Sequence, residues 1–109
     1  TSGTIKAFDM YLKTGSHSPG YFRNDDGTWY DQQEWVVIDL RVASAFSRIG
    51  MKSRARTLLD WISSQASCNF NLIGELLTAE NGSYTGAIPM CGFGPGAYIL
   101  ALTDYYAGL

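Results

Sequence analysis

Glu75 stands in the apolar run Leu72-Ile73-Gly74-Glu75-Leu76-Leu77, which leads through Gly82, Gly86, Gly92, Gly94 and Gly96 toward the C-terminal segment. A carboxylate in an apolar setting, followed by glycines that let backbone approach a ligand closely, is a common packaging for chemistry. The same carboxylate also suits a helix-end cap or an ion pair, and the residues alone leave both readings open. Other reactive types are sparse. His17, in a Ser16-His17-Ser18-Pro19-Gly20 loop, is the single histidine, with no companion at zinc spacing and none to spare for a Ser-His-Asp set, so neither a metal site nor a serine hydrolase is expected. Residues 92–96 have no phosphate-loop spacing and no partner lysine, and read as a tight entry into a last helix. Cys68 and Cys91 are unclustered, which favours two small buried thiols over a disulfide.

These residues must be positioned by one domain at most, residues 1–109, because a chain of this length buries a modest core and no large enclosed cavity. Hydrophobic residues at 46% and aromatics at 14% are a globular composition rather than a disordered one. The net charge of −2 and the scattered basic residues, with Arg54 and Arg56 the one close arginine pair, give no footprint for nucleic acid. No apolar run approaches the roughly 18 residues that cross a bilayer, so no membrane partner is expected, and no signal peptide opens the chain. The opening Thr1-Ser2-Gly3 reads as a processing or cloning remnant, with the natural start elsewhere.

Periodicity places the elements. Ile5, Phe8 and Leu12 predict a short helix over residues 4–13. Asn24-Asp25-Asp26-Gly27 between two aromatic stretches predicts a small hairpin or an extended loop. Trp35, Ile38, Val42, Ala45 and Ile49 predict a long helix over residues 33–49 with that stripe buried, ended by Gly50. Ala55, Leu58, Leu59, Ile62 and Ala66 predict a second over residues 52–66, and the short connection makes the two antiparallel neighbours. Asn81-Gly82 suggests a small hairpin with Tyr84 on its return strand. Pro95 suits a first helical position, opening a helix over residues 97–106.

The order of these parts resembles a known family. Glu34-Trp35-Val36-Val37-Ile38-Asp39-Leu40, a helix ending Arg48-Ile49-Gly50, then residues 55–62, Ile73-Gly74-Glu75-Leu76 and Gly86-Ala87-Ile88-Pro89-Met90 are similar to the C-terminal part of glucoamylase-type glycoside hydrolases, the six-hairpin glycosidases of glycoside hydrolase family 15. The likeness covers roughly residues 33–103. It implies an all-α fold, part of an (α/α)6 barrel with long loops and small hairpins at one rim, and a chain that forms its C-terminal segment. It implies cleavage of α-glucosidic bonds with inversion, without a cofactor, by two carboxyl groups about 6.5 to 9.5 Å apart. Glu75 matches the glutamate of the family's Leu-Pro-Glu-Gln segment, the general base. The family's general acid lies upstream of the matched part, so the proton donor is expected outside this chain, which would be inert by itself.

With that family in view, Tyr21, Trp29, Tyr30 and Trp35 become candidates to stack on sugar rings, and Asp31 and Glu34 to hydrogen-bond sugar hydroxyls. Aromatics at this density also fill core, most clearly Trp35 and Trp61 on apolar faces, and a helix start recruits acids on its own account. The expected partners are an oligosaccharide or polysaccharide substrate and the remainder of the barrel or another chain. The alternative is a non-catalytic helical module that binds carbohydrate or assembles with copies of itself, because an incomplete ring of helices exposes apolar flanks.

Overall fold

The computed structural model describes residues 2–15, 18–78, 80 and 92–107. Among them are four helices and one short antiparallel strand pair, in the order α1 (Ser2–Tyr11), β1 (Glu34–Trp35), α2 (Val36–Arg48), α3 (Lys52–Ser67), β2 (Leu76–Leu77) and α4 (Phe93–Ala107). The chain is therefore all-α in class with a minimal sheet. The Asn81-Gly82 hairpin and Tyr84 lie outside the described residues.

Helix α2 is the centre. It packs against α4 most extensively and against α3 next, while α3 and α4 touch less. Between α2 and α3 the chain turns at Gly50, whose φ of 84° is open to glycine at no steric cost. Met51 N–H donates to the Phe46 carbonyl at 2.8 Å and Gly50 N–H to the Ser47 carbonyl at 3.3 Å, the paired bonds of a Schellman ending. Met51 and Phe46 both belong to the core they close over.

The core joins Leu40, Ala43 and Phe46 of α2 to Ala55, Leu58, Leu59 and Ile62 of α3 and Ala101 of α4, with Leu77 added from β2 and Tyr21 from a loop, where it fills core rather than lining a sugar pocket. On α3 the buried stripe is the expected one, except that Ala66 is only half-buried. On α2 the expectation is corrected. The helix begins at Val36, because Glu34 and Trp35 are extended, and its inward side carries Val36, Asp39, Leu40, Ala43, Phe46 and Ser47. Of the expected stripe, Ile38 and Val42 are half-buried and Ala45 and Ile49 exposed. Helix α2 is apolar on two sides, and the described residues cover only one of them fully. Helix α4 behaves likewise: Gly94 and Ala101 are buried, whereas Phe93, Ile99, Leu100 and Tyr106 are more than half exposed.

Three smaller expectations also change. The stretch around residues 24–27 forms no hairpin; the extended-loop alternative holds, tied by isolated bridges Lys13↔Tyr21 and Phe22↔Glu34. Helix α4 begins at Phe93, two residues before Pro95, which sits in the first turn where its missing N–H costs nothing. Cys68 is a free, exposed thiol at the end of α3 rather than a buried one, and Cys91 lies outside the described residues.

Candidate functional site

The strand pair brings the candidate residues together. Glu34 pairs with Leu77 and Trp35 with Leu76, and the ladder continues as Val36 N–H donates to the Glu75 carbonyl at 3.2 Å. Glu75 is thereby fixed beside the first turn of α2, although 39 positions separate it from Val36 in the chain. Its side chain is only 6% exposed. Tyr30 Oη donates to Glu75 Oε1 at 2.9 Å, and Glu75 Oε2 is buried with no partner among the described residues. The carboxylate beside it holds the Tyr30 phenol above its ordinary pKa, since ionising that hydroxyl would forfeit the bond.

Tyr30 is itself positioned from beneath. Its ring meets Trp35 edge-on with centroids 5.0 Å apart, and Trp35 Nε1 donates to the Tyr30 carbonyl at 3.0 Å. The Arg23 guanidinium lies over both rings, 4.4 Å from the Trp35 centroid and 5.6 Å from that of Tyr30, and pairs with Asp31. Trp35 is buried, Tyr30 39% exposed and Trp29 64% exposed. Glu75, Tyr30 and Trp35 thus form one unit, Trp29 precedes it in the chain, and Asp31 serves the arginine that caps the rings.

Glu34 belongs elsewhere. It is fully buried, with Trp61 Nε1 donating to Oε1 and Ser18 Oγ to Oε2, each at 2.6 Å. It faces the core side of β1, with Asp39 of α2 next to it. Asp39 Oδ1 accepts the Tyr21 N–H at 2.7 Å, while Asp39 Oδ2 has no donor among the described residues. Burial, then the neighbouring Glu34 charge, pushes the Asp39 carboxyl well above the usual carboxylate range. Asp39, Ser18, Gly20 and Trp61 are absent from the site read in sequence. The one available signal was a charge inside the otherwise apolar Val36-Val37-Ile38-Asp39-Leu40.

A second charged group sits at the edge of this centre. Arg54 pairs with Asp9 at 2.6 Å and also donates to Tyr21 Oη, and the guanidinium holds the Asp9 carboxyl below its ordinary range. Asp9 in turn accepts from Tyr21 Oη at 2.8 Å. Desolvation, reinforced by that bond, keeps the Tyr21 phenol far above its usual range.

Among the described residues no group of three or more His, Cys, Asp or Glu side chains could hold a metal ion, and no helix is long and apolar enough to cross a membrane. A groove of about 620 Å³ runs between α2 and α4, lined by Val37, Ala45, Phe93, Ala97 and Leu100 among others, and one of about 280 Å³ lies between α1 and α2 against Ile38 and Val42. Glu75 lines neither. Comparisons with family models, curated proteins and solved structures return no match to this chain.

Proposed function

We propose that this chain is the C-terminal sector of an inverting α-glucoside hydrolase of the six-hairpin type, with Glu75 as the base that activates water. The observation that carries the reading is the state of the Glu75 carboxylate: nearly buried, one oxygen fixed by a phenol, the other without a partner among the described residues. A general base needs an oriented oxygen that is not consumed by the protein's own donors. An unmet buried acceptor costs about 1–3 kcal/mol, a cost that a role in chemistry accounts for.

The neighbouring rings support the same reading. Tyr30, bonded to the carboxylate, is partly exposed, and Trp29, its neighbour in the chain, more so, which suits stacking on the C–H faces of a pyranose. The cleft and the acid come from outside this chain, the acid about 6.5 to 9.5 Å from Glu75 so that a water fits between. The two-sided helices α2 and α4, with grooves along their outer faces, give the remaining helices of the barrel a surface to cover.

The test is Glu75→Gln in the complete protein, assayed on maltose-type substrates. Loss of general-base action lowers kcat by about 10²- to 10⁴-fold. Hydrolysis persisting near its original rate, in a variant that unfolds like the parent, refutes the role.

A further inference from the structure

The hydrolase reading leaves the buried Glu34 and Asp39 unused. Two carboxylates side by side inside a core repel, and among the described residues the cation that bears on them is Lys13, whose Nζ is bonded to the Pro19 carbonyl at 3.0 Å. Gly20 lies against both side chains. A methyl group built there would collide with Glu34 Oε1 and stand 2.6 Å from Asp39 Oδ2, so the glycine backbone closes that side to a metal ion or a water. Glu34 Oε1 and Asp39 Oδ2 both lie against Gly20, and Asp39 Oδ2 has no donor among the described residues, an arrangement that is stable when one of the two carboxyls carries hydrogen.

We propose that Asp39 and Glu34 share one proton, as an acid–carboxylate pair, and that this pair is an alkali-labile latch fastening the loop over residues 18–21 to α2 and α3. Asp39 Oδ2–H donates to Glu34, which also accepts from Trp61 of α3 and Ser18 of the loop. Asp39 Oδ1 holds Tyr21 N–H, and Ser18 Oγ accepts Gly20 N–H at 2.9 Å. One proton therefore completes a network that joins one loop to two helices. Among the described residues, the charged and titratable groups facing it are Lys13 just after α1, Asp9 of α1 and Arg54 of α3 through Tyr21, and Tyr21 of the loop itself. Lys13 and the Tyr21 N–H pull Asp39 toward ionisation, burial and Glu34 push the other way, and the latter are the larger influences.

The sign follows from linkage. The folded chain holds the proton to higher pH than the unfolded one, whose aspartate titrates near 3.8. The latch contributes fully below that value and loses its contribution as pH rises toward the folded pKa. Over that window the unfolding constant rises by up to about tenfold per pH unit. Asp39→Asn supplies a neutral donor toward Glu34 while keeping an acceptor for Tyr21 N–H, so this component disappears.

The test measures urea unfolding of wild type and Asp39→Asn from pH 5 to pH 9. The expected result is a wild-type unfolding constant that climbs relative to the variant's as pH rises; parallel profiles overturn the proposal. A second measurement needs no variant. Wild-type chain labelled with ¹³C-aspartate is expected to show, at pH 7, an isotope-shifted infrared carbonyl band of a protonated carboxyl that vanishes in alkali. Aspartates that are all ionised at pH 7 overturn the proposal even if Asp39→Asn fails to fold.

Discussion

Gly20→Ala is the sharpest test of how tightly the loop over residues 18–21 closes on the buried carboxyls. The φ of Gly20 lies outside the left-handed region, so alanine brings no backbone strain and should gain about 0.4–1 kcal/mol through a less flexible unfolded chain. Against that gain stands the collision of the new methyl with Glu34 Oε1 and Asp39 Oδ2. Neither oxygen is the free end of a mobile side chain, because Glu34 is gripped by Trp61 and Ser18 and Asp39 by Tyr21. Overpacking costs about 1–3 kcal/mol, and displacing Glu34 from one charge-assisted bond adds about 1.5–3 kcal/mol. The net expectation is a loss of about 3 kcal/mol. At a urea slope of about 1.5 kcal/mol/M this lowers the unfolding midpoint by about 2 M, followed by tryptophan fluorescence. In an E34A background the nearest obstacle is gone, and Gly20→Ala should cost less than half as much. A loss below about 0.5 kcal/mol in the parent would refute the close approach and the latch geometry built on it.

Two further outcomes separate the interior network from the outer faces. Trp61→Phe keeps an aromatic ring of smaller size but removes the Nε1–H that serves buried Glu34, and should cost about 1.5–3 kcal/mol in equilibrium unfolding beyond the lost packing, a component absent when Glu34 is also replaced. Ile99→Ser, on the exposed side of α4, should change the stability of this chain by itself by no more than about 0.5 kcal/mol, yet destabilise the complete protein by about 2 kcal/mol or more if further helices cover that face. Equal, small effects in both settings would count against the barrel.

The unequal legibility of the helices has a physical origin. Helix α3 is apolar on one side only, so its period identified both the helix and its buried residues. Helix α2 carries two apolar sides, Leu40, Ala43 and Phe46 on one and Ile38, Val42 and Ala45 on the other. A 3.6-residue period locates such a helix without choosing which side its own chain will cover. The choice fell to α3, joined to α2 by a short turn, and to α4, which is distant in sequence. The strand pair was invisible for a related reason: two residues carry no alternation to detect, and their partners lie some forty positions away. Buried acids are the hardest case, since an isolated Asp or Glu is almost always at the surface and only a partner reverses that expectation. Glu75 was found because glycine and apolar neighbours surround it in the chain; Asp39 was missed because its reasons for burial, Glu34, Gly20 and the Tyr21 amide, come from two other segments.

Three consecutive residues connect these two acid centres. The Glu34 side chain enters the latch, the Trp35 ring supports Tyr30 and thereby the phenol that orients Glu75, and the Val36 amide holds the Glu75 carbonyl. Side chains alternate across an extended strand, so β1 sends Glu34 inward and Trp35 toward the rings from a single backbone path. Positioning of the candidate base therefore depends on β1, and β1 is held on its inner side by the buried carboxyl network rather than by a wide sheet. A two-residue strand pair is too short to stand alone. Its order must be supplied by the side chains on either face of it, which is a physical reason for a helical chain of this size to keep two carboxyl groups in its core.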